Sequence, residues 1–142
     1  MTGTLAIECD APPERVWELI SQPGHWPEWS PHVRGAEGLG APQVTEGAEG
    51  RVVLRGGLRL RARVMEVIPD ESWTWRVGGL VIRHTVRPLP AGRSRLEHVV
   101  EGSSARWSLA ARAYAPLVGL IARNIARVAA RGPTARETSS RD

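Results

Sequence analysis

Residues 16–31 read V-W-E-L-I-S-Q-P-G-H-W-P-E-W-S-P, and the rest of the chain is organised around them. Val16, Trp17, Leu19 and Ile20 recur at helical spacing, which lays one apolar stripe against a core. Pro23-Gly24 stops that helix. Pro27 and Pro31 restrict the residues before them, so at most one further helical turn fits. Trp17, Trp26 and Trp29 fall close together, and indole rings are costly to leave in water. The segment is therefore expected to border a hydrophobic pocket, with Trp17 in the core and Trp26 and Trp29 laid over the entrance as lid or plug.

Upstream, residues 4–9 (T-L-A-I-E-C) alternate as a strand with Leu5, Ile7 and Cys9 on one face. Asp10 is the expected N-cap of the first helix, with Pro12, Pro13 and Glu14 suited to its first turn. Downstream, the period changes to two. Residues 33–37 suit an edge strand, and 38–50, rich in Gly, Pro and Ala, read as a loop. Residues 51–55 and 58–68 are strands joined by Gly56-Gly57, a two-residue hairpin signal. Leu58, Leu60, Ala62 and Val64 are expected inside, with Arg59, Arg61 and Arg63 outside. Pro69-Asp70, Gly78-Gly79 and residues 88–92 turn three further strands. On these, Trp73, Trp75, Val77, Leu80, Ile82, His84, Val86, Leu96, His98 and Val100 share inward parity, while Thr74, Arg76, Arg83, Arg87, Glu97 and Glu101 point outward. Short turns between such strands make an antiparallel meander.

Ser103 or Ser104 caps a long helix over residues 105–131, whose stripe is Trp107, Ala111, Tyr114, Val118, Ile121, Ile125 and Val128; Pro116 is expected to kink it. Residues 1–131 make one domain, and 132–142 (G-P-T-A-R-E-T-S-S-R-D) a flexible polar tail. The fold class is α+β: a curved antiparallel sheet wrapped around a long C-terminal helix, with two short helices after the first strand. Those helices are too short to fill the gap between sheet and long helix, which leaves a cavity.

The stretch A-P-P-E-R-V-W-E-L-I-S-Q-P-G-H-W-P-E-W-S-P, together with V-M-E-V-I-P-D-E-S-W-T-W-R-V, resembles the START-like, or SRPBCC, superfamily, nearest its polyketide cyclase/dehydrase and coenzyme-Q-binding branches. The resemblance covers residues 3–131. It implies a helix-grip fold with a deep cavity. Members bind lipids, hormones, polyketides or quinones, and a minority catalyse cyclisation and dehydration. The family has no universal catalytic motif, so no catalytic assignment carries over.

The candidate ligand-binding residues are Trp26, Trp29, Trp73, Trp75, His84, His98, Trp107 and Tyr114: an apolar lining with a few polar atoms, the usual composition of a small-molecule site. Buried indole N–H groups, imidazoles and the Tyr114 hydroxyl need partners, which a ligand oxygen or a water supplies. His84 and His98 are the candidate catalytic residues, because a pocket imidazole can move protons at carbons beside carbonyls; packing histidines are the competing reading. His25 and His32 are read as surface loop residues. Two functions follow. One is a carrier of a hydrophobic, ring-containing small molecule such as a lipid, quinone or polyketide. The other is a cyclase or dehydratase using the inward histidines.

All 19 basic residues are arginine, and the formal net charge is +4. Either codon bias or a surface selected for anions gives this pattern. Parity separates the arginines from the tryptophans, which disfavours nucleic-acid binding by stacking. No run of about 18 apolar residues spans a bilayer, although the helix arginines suit peripheral contact with anionic headgroups. No metal-ligand spacing, cofactor motif or secretory leader is evident, so the expected setting is cytoplasmic, as monomer or homodimer.

Overall fold

A computed structural model describes residues 2–131; the expected tail, residues 132–142, lies outside the described residues. Strand β1 (Thr2–Cys9) leads into helix α1 (Pro13–Ser21), a 3-10 turn (Pro23–His25) and a single α-turn, α2 (Trp26–Trp29). Six strands follow: β2 (Val33–Glu37), β3 (Glu49–Leu54), β4 (Arg59–Ile68), β5 (Ser72–Val77), β6 (Leu80–Leu89) and β7 (Arg93–Gly102). Helix α3 (Ala105–Arg131) closes the domain. The seven strands form one antiparallel sheet in the order β1-β7-β6-β5-β4-β3-β2. This is the α+β helix-grip arrangement expected from the sequence.

The turns follow from residue chemistry. Gly56 and Gly57 both adopt positive φ (98° and 94°) in the β3–β4 hairpin, a conformation that costs glycine nothing sterically. Ser104 Oγ accepts from the Trp107 N–H at 3.3 Å and caps α3. Pro116 sits inside α3, and the helix runs through it. The expected Asp10 cap is corrected: the N-cap position of α1 is Pro12, which makes no side-chain cap bond. Asp10 instead accepts from Arg93 Nε at 2.7 Å, a contact that ties the end of β1 to the start of β7.

The inward face of the sheet and the stripe of α3 enclose one main core containing Val16, Trp17, Leu19, Ile20, Val64, Leu96 and Ile125. The 38–50 connection also contributes: Leu39 and Val44 are buried, and the Val44 N–H donates to the Ser21 carbonyl at 2.9 Å. Two parity expectations fail. Leu58 and Leu60 are 61% and 38% exposed. Helix α3 packs mainly on β1 and β7, so the inward face of the β3–β4 end has no helix over it. Thr74, expected outside, is buried. A register shift between Val64 and Glu66 makes a bulge in β4, which sets Met65 outside the ladder and leaves it exposed. On the outer face, Glu97 pairs with Arg95 at 3.1 Å and Arg87 at 3.4 Å.

Candidate functional site

Strand register assembles the site. Trp73 lies directly opposite His84, and His84 directly opposite His98, so adjacent strands present three rings side by side on the inward face. Trp73 and His84 stack at a centroid distance of 4.2 Å, and His84 meets His98 edge-on at 5.1 Å. Trp75, two residues along β5, sits edge-on to Trp73 at 5.2 Å. From the other side Trp26 of α2 stacks on Trp73 at 5.8 Å and meets Trp75 edge-on at 5.3 Å. The result is a continuous aromatic wall.

The hydrogen-bonding groups of this wall are unevenly satisfied. Trp26 Nε1 donates to the Ile20 carbonyl at 3.0 Å, and Trp29 Nε1 to the Leu19 carbonyl at 2.9 Å. Both acceptors lie in the last turn of α1, where carbonyls lack helical partners. The tryptophans that follow α1 therefore cap it. Trp26 is buried and forms part of the wall, so it is no surface lid. His84 Nδ1–H donates to the Trp73 carbonyl at 3.2 Å, which assigns the lone pair to Nε2. Three buried atoms of the wall have no hydrogen-bond partner among the described residues: Trp73 Nε1, Trp75 Nε1 and His98 Nδ1. Leaving such a group unpaired costs about 1–3 kcal/mol.

Burial also sets the protonation states. Desolvation pushes His98 down to about 4. Desolvation, then repulsion from His98, pushes His84 well below the usual imidazole value, against a raising contribution from the Trp73 carbonyl. Both rings are thus neutral at pH 7. Burial raises the Tyr114 phenol to about 12, so it keeps its proton.

The wall borders a recess of about 50 Å³, lined by Trp26, Trp29, Trp73, Trp75, His84, His98 and Tyr114 together with Ser30, His32, Val33, Ile82, Val118 and Ile121. A larger apolar chamber of about 260 Å³ adjoins it, lined by Val52, Leu54, Leu60, Val77 and Leu80. His32, Val33, Trp75, Ile82 and Tyr114 line both spaces. The recess has room for one small group only, and the chamber for a ring or chain.

Seven of the eight residues named from the sequence thus meet around the recess. Trp107 does not. It is 37% exposed and lies over the β5–β6 hairpin, where a Cβ built on Gly79 would come within 2.2 Å of its ring. His32, taken as a surface residue, is half-buried in the shared wall. Its Nε2 lies 3.3 Å from the Tyr114 hydroxyl, and its Nδ1 3.2 Å from Ser30 Oγ, which also accepts from the Val33 N–H at 3.1 Å. Parity could not find it, because it precedes β2. His25 pairs with Glu18 at 3.2 Å and with Glu28. Among the described residues, no group of three or more His, Cys, Asp or Glu could hold a metal ion.

The family model described as polyketide cyclase / dehydrase and lipid transport matches residues 2–137. Among solved structures, protein MLL2253 from Mesorhizobium loti superposes with a TM-score of 0.77 at 17% identity, covering 94% of this chain and 100% of that one. Protein SSP2350 from Staphylococcus saprophyticus gives 0.73 at 11% identity, covering 89% of each chain. The di-domain ARO/CYC BexL from the BE-7585A biosynthetic pathway gives 0.71 at 14% identity, over 89% of this chain and 45% of that one. At such identities the likeness is one of fold. No curated protein matches the sequence. The family match spans the aromatic wall, both cavities and all of α3, and the chain belongs to the polyketide cyclase / dehydrase and lipid transport family.

Proposed function

We propose that the protein binds an apolar, ring-containing small molecule that carries at least one oxygen acceptor, with the oxygen in the recess and the hydrocarbon in the adjoining chamber. The observation that carries this reading is a set of unpartnered groups on residues that line the recess: Trp73 Nε1, Trp75 Nε1 and His98 Nδ1. Two fixed donors in an apolar wall suit a carbonyl, quinone or phenol oxygen, and a bound oxygen removes the cost of leaving them unpaired. Tyr114 and His32 stand where recess and chamber join and can contact the middle of such a molecule.

Tryptophan fluorescence and native mass spectrometry test the reading with matched probes: 9,10-anthraquinone, 1,4-naphthoquinone and palmitate against anthracene, which lacks oxygen. Quinones are expected to bind at least about tenfold more tightly than the hydrocarbon, the value of roughly one hydrogen bond to a buried donor. Equal affinity for quinone and hydrocarbon, or no response to any probe, would overturn it.

A second reading is a cyclase or dehydratase, favoured by the adjacent His84 and His98 imidazoles. A ring held near 4 is a weak base for a carbon-bound proton, which ranks this reading behind binding. Turnover of a poly-β-ketone substrate that disappears in His84→Gln/His98→Gln would reverse the ranking.

A further inference from the structure

The proposed ligand is sparingly soluble in water, and the structure assigns a place for it to be exchanged. We propose that the end of the sheet carrying the β3–β4 and β5–β6 hairpins docks on an anionic phospholipid bilayer, with the open side of the apolar chamber facing the lipid. This proposal rests on the binding function above.

Strand register brings the parts together. The β3–β4 hairpin, the β5–β6 hairpin, the end of β7 and the start of α3 all lie at one end of the sheet, since Leu80 pairs with both Val77 and Gly102. The chamber reaches the surface at this end, because Leu60 lines it and is exposed. The elements at this end carry large exposed apolar side chains. Leu58 at the hairpin tip is 61% exposed, and Leu109 in the first turns of α3 is 67% exposed. Trp107, partly exposed, packs against the Gly78-Gly79 hairpin at this end.

The charge around this patch is mainly positive. Residues 50–65 contain no acidic residue, and neither does α3. Arg55 and Arg106 are exposed beside Leu58 and Trp107 in the chain. The carboxylates near this end are paired: Glu28 with His25, Glu37 with Arg59 at 2.6 Å and Glu49 with Arg63 at 3.7 Å, and Glu101 also has a partner. Exposed leucines and an interfacial tryptophan ringed by arginines match the acyl boundary and anionic headgroups of a bilayer. An acidic protein surface would match the arginines but leave Leu58 and Leu109 without a partner.

The test is co-sedimentation of the full chain with vesicles of phosphatidylcholine alone or mixed with phosphatidylglycerol. Binding is expected only to the mixed vesicles and to weaken as salt is raised. Arg55→Glu and Arg106→Glu are each expected to lower the partition coefficient about fivefold or more. Leu58→Asp/Leu109→Asp should lower it about tenfold or more while leaving the thermal melt unchanged, since both positions are exposed. Brominated lipid should quench the wild type and not Trp107→Phe. Binding to neither vesicle, equal binding to both, or wild-type partition by the Leu58/Leu109 variant overturns the proposal, as does a stable dimer closed over Leu58. A protein that takes up 9,10-anthraquinone from solution yet ignores vesicles refutes docking and keeps the binding site; one that docks but takes up no probe refutes the binding site.

Discussion

Trp26 and Trp73 provide an internally controlled test of the aromatic wall. They stack on one another and are 2% and 1% exposed. Changing either to Phe removes the same atoms from an equally closed site, so transfer and cavity costs cancel to first order. The indole N–H groups differ. That of Trp26 is bonded to the Ile20 carbonyl at 3.0 Å, whereas that of Trp73 has no partner among the described residues. Trp26→Phe therefore loses a made hydrogen bond, about 1 kcal/mol net, while Trp73→Phe removes a penalty of about 1–3 kcal/mol. In ligand-free protein Trp26→Phe should be the less stable variant by about 2–4 kcal/mol. Urea unfolding followed by far-UV circular dichroism measures the difference, which corresponds to roughly 4 °C of melting temperature per kcal/mol for a domain of this size. Adding a quinone should narrow the gap, because only wild-type Trp73 donates to it. Equal losses in the two variants, or a larger loss at Trp73, would refute the hydrogen-bond accounting on which the ligand assignment stands.

Three further outcomes are expected. His98 is held near 4 in the folded state by burial, below the ordinary imidazole value of 6.5. The unfolded chain therefore binds the proton first, and stability that is full above pH 6.5 falls as pH drops toward about 4; the loss is about 3 kcal/mol from His98 alone, and His98→Gln should flatten the pH profile of urea unfolding. Cys9 is buried with its thiol pushed up to about 11, chiefly by desolvation, so a disulfide exchange reagent at neutral pH should label it only as fast as the protein opens. Gly79→Ala puts a Cβ within 2.2 Å of the Trp107 ring and should cost more than about 1 kcal/mol; in a double-mutant cycle with Trp107→Ala most of that cost should vanish, whereas additive losses would mean that the contact is not its source.

Most of the site was legible because β5, β6 and β7 are regular. Period-two alternation places Trp73, Trp75, His84 and His98 on one face, and short turns bring their strands together. The α3 stripe was legible for the same reason, up to Tyr114. The failures have local causes. Leu58 and Leu60 obey parity, but parity specifies a face and not what covers it, and α3 covers the other half of the sheet. Trp107 is on the stripe but in its first turns, where the helix has reached the hairpin and no longer the cavity. Asp10 has the chemistry of a cap but meets Arg93, which is distant in sequence. His32 sits between elements, where no periodicity applies. The unpaired indoles could not be read at all, since satisfaction of a donor depends on every neighbour at once.

The strand order has a consequence for synthesis. β1 is made before the other six strands, yet its partner is β7: Cys9 faces Ser94 and Leu5 faces His98. A nascent chain must carry β1 unpaired until nearly the whole sheet has left the ribosome, while β3 to β6 zip with their sequence neighbours as they emerge. Closing so long a loop comes late and slowly. Until then the backbone edge of β7 is open to pairing with another chain, so growth temperature and translation speed should govern the yield of folded protein more than the stability of the finished domain does.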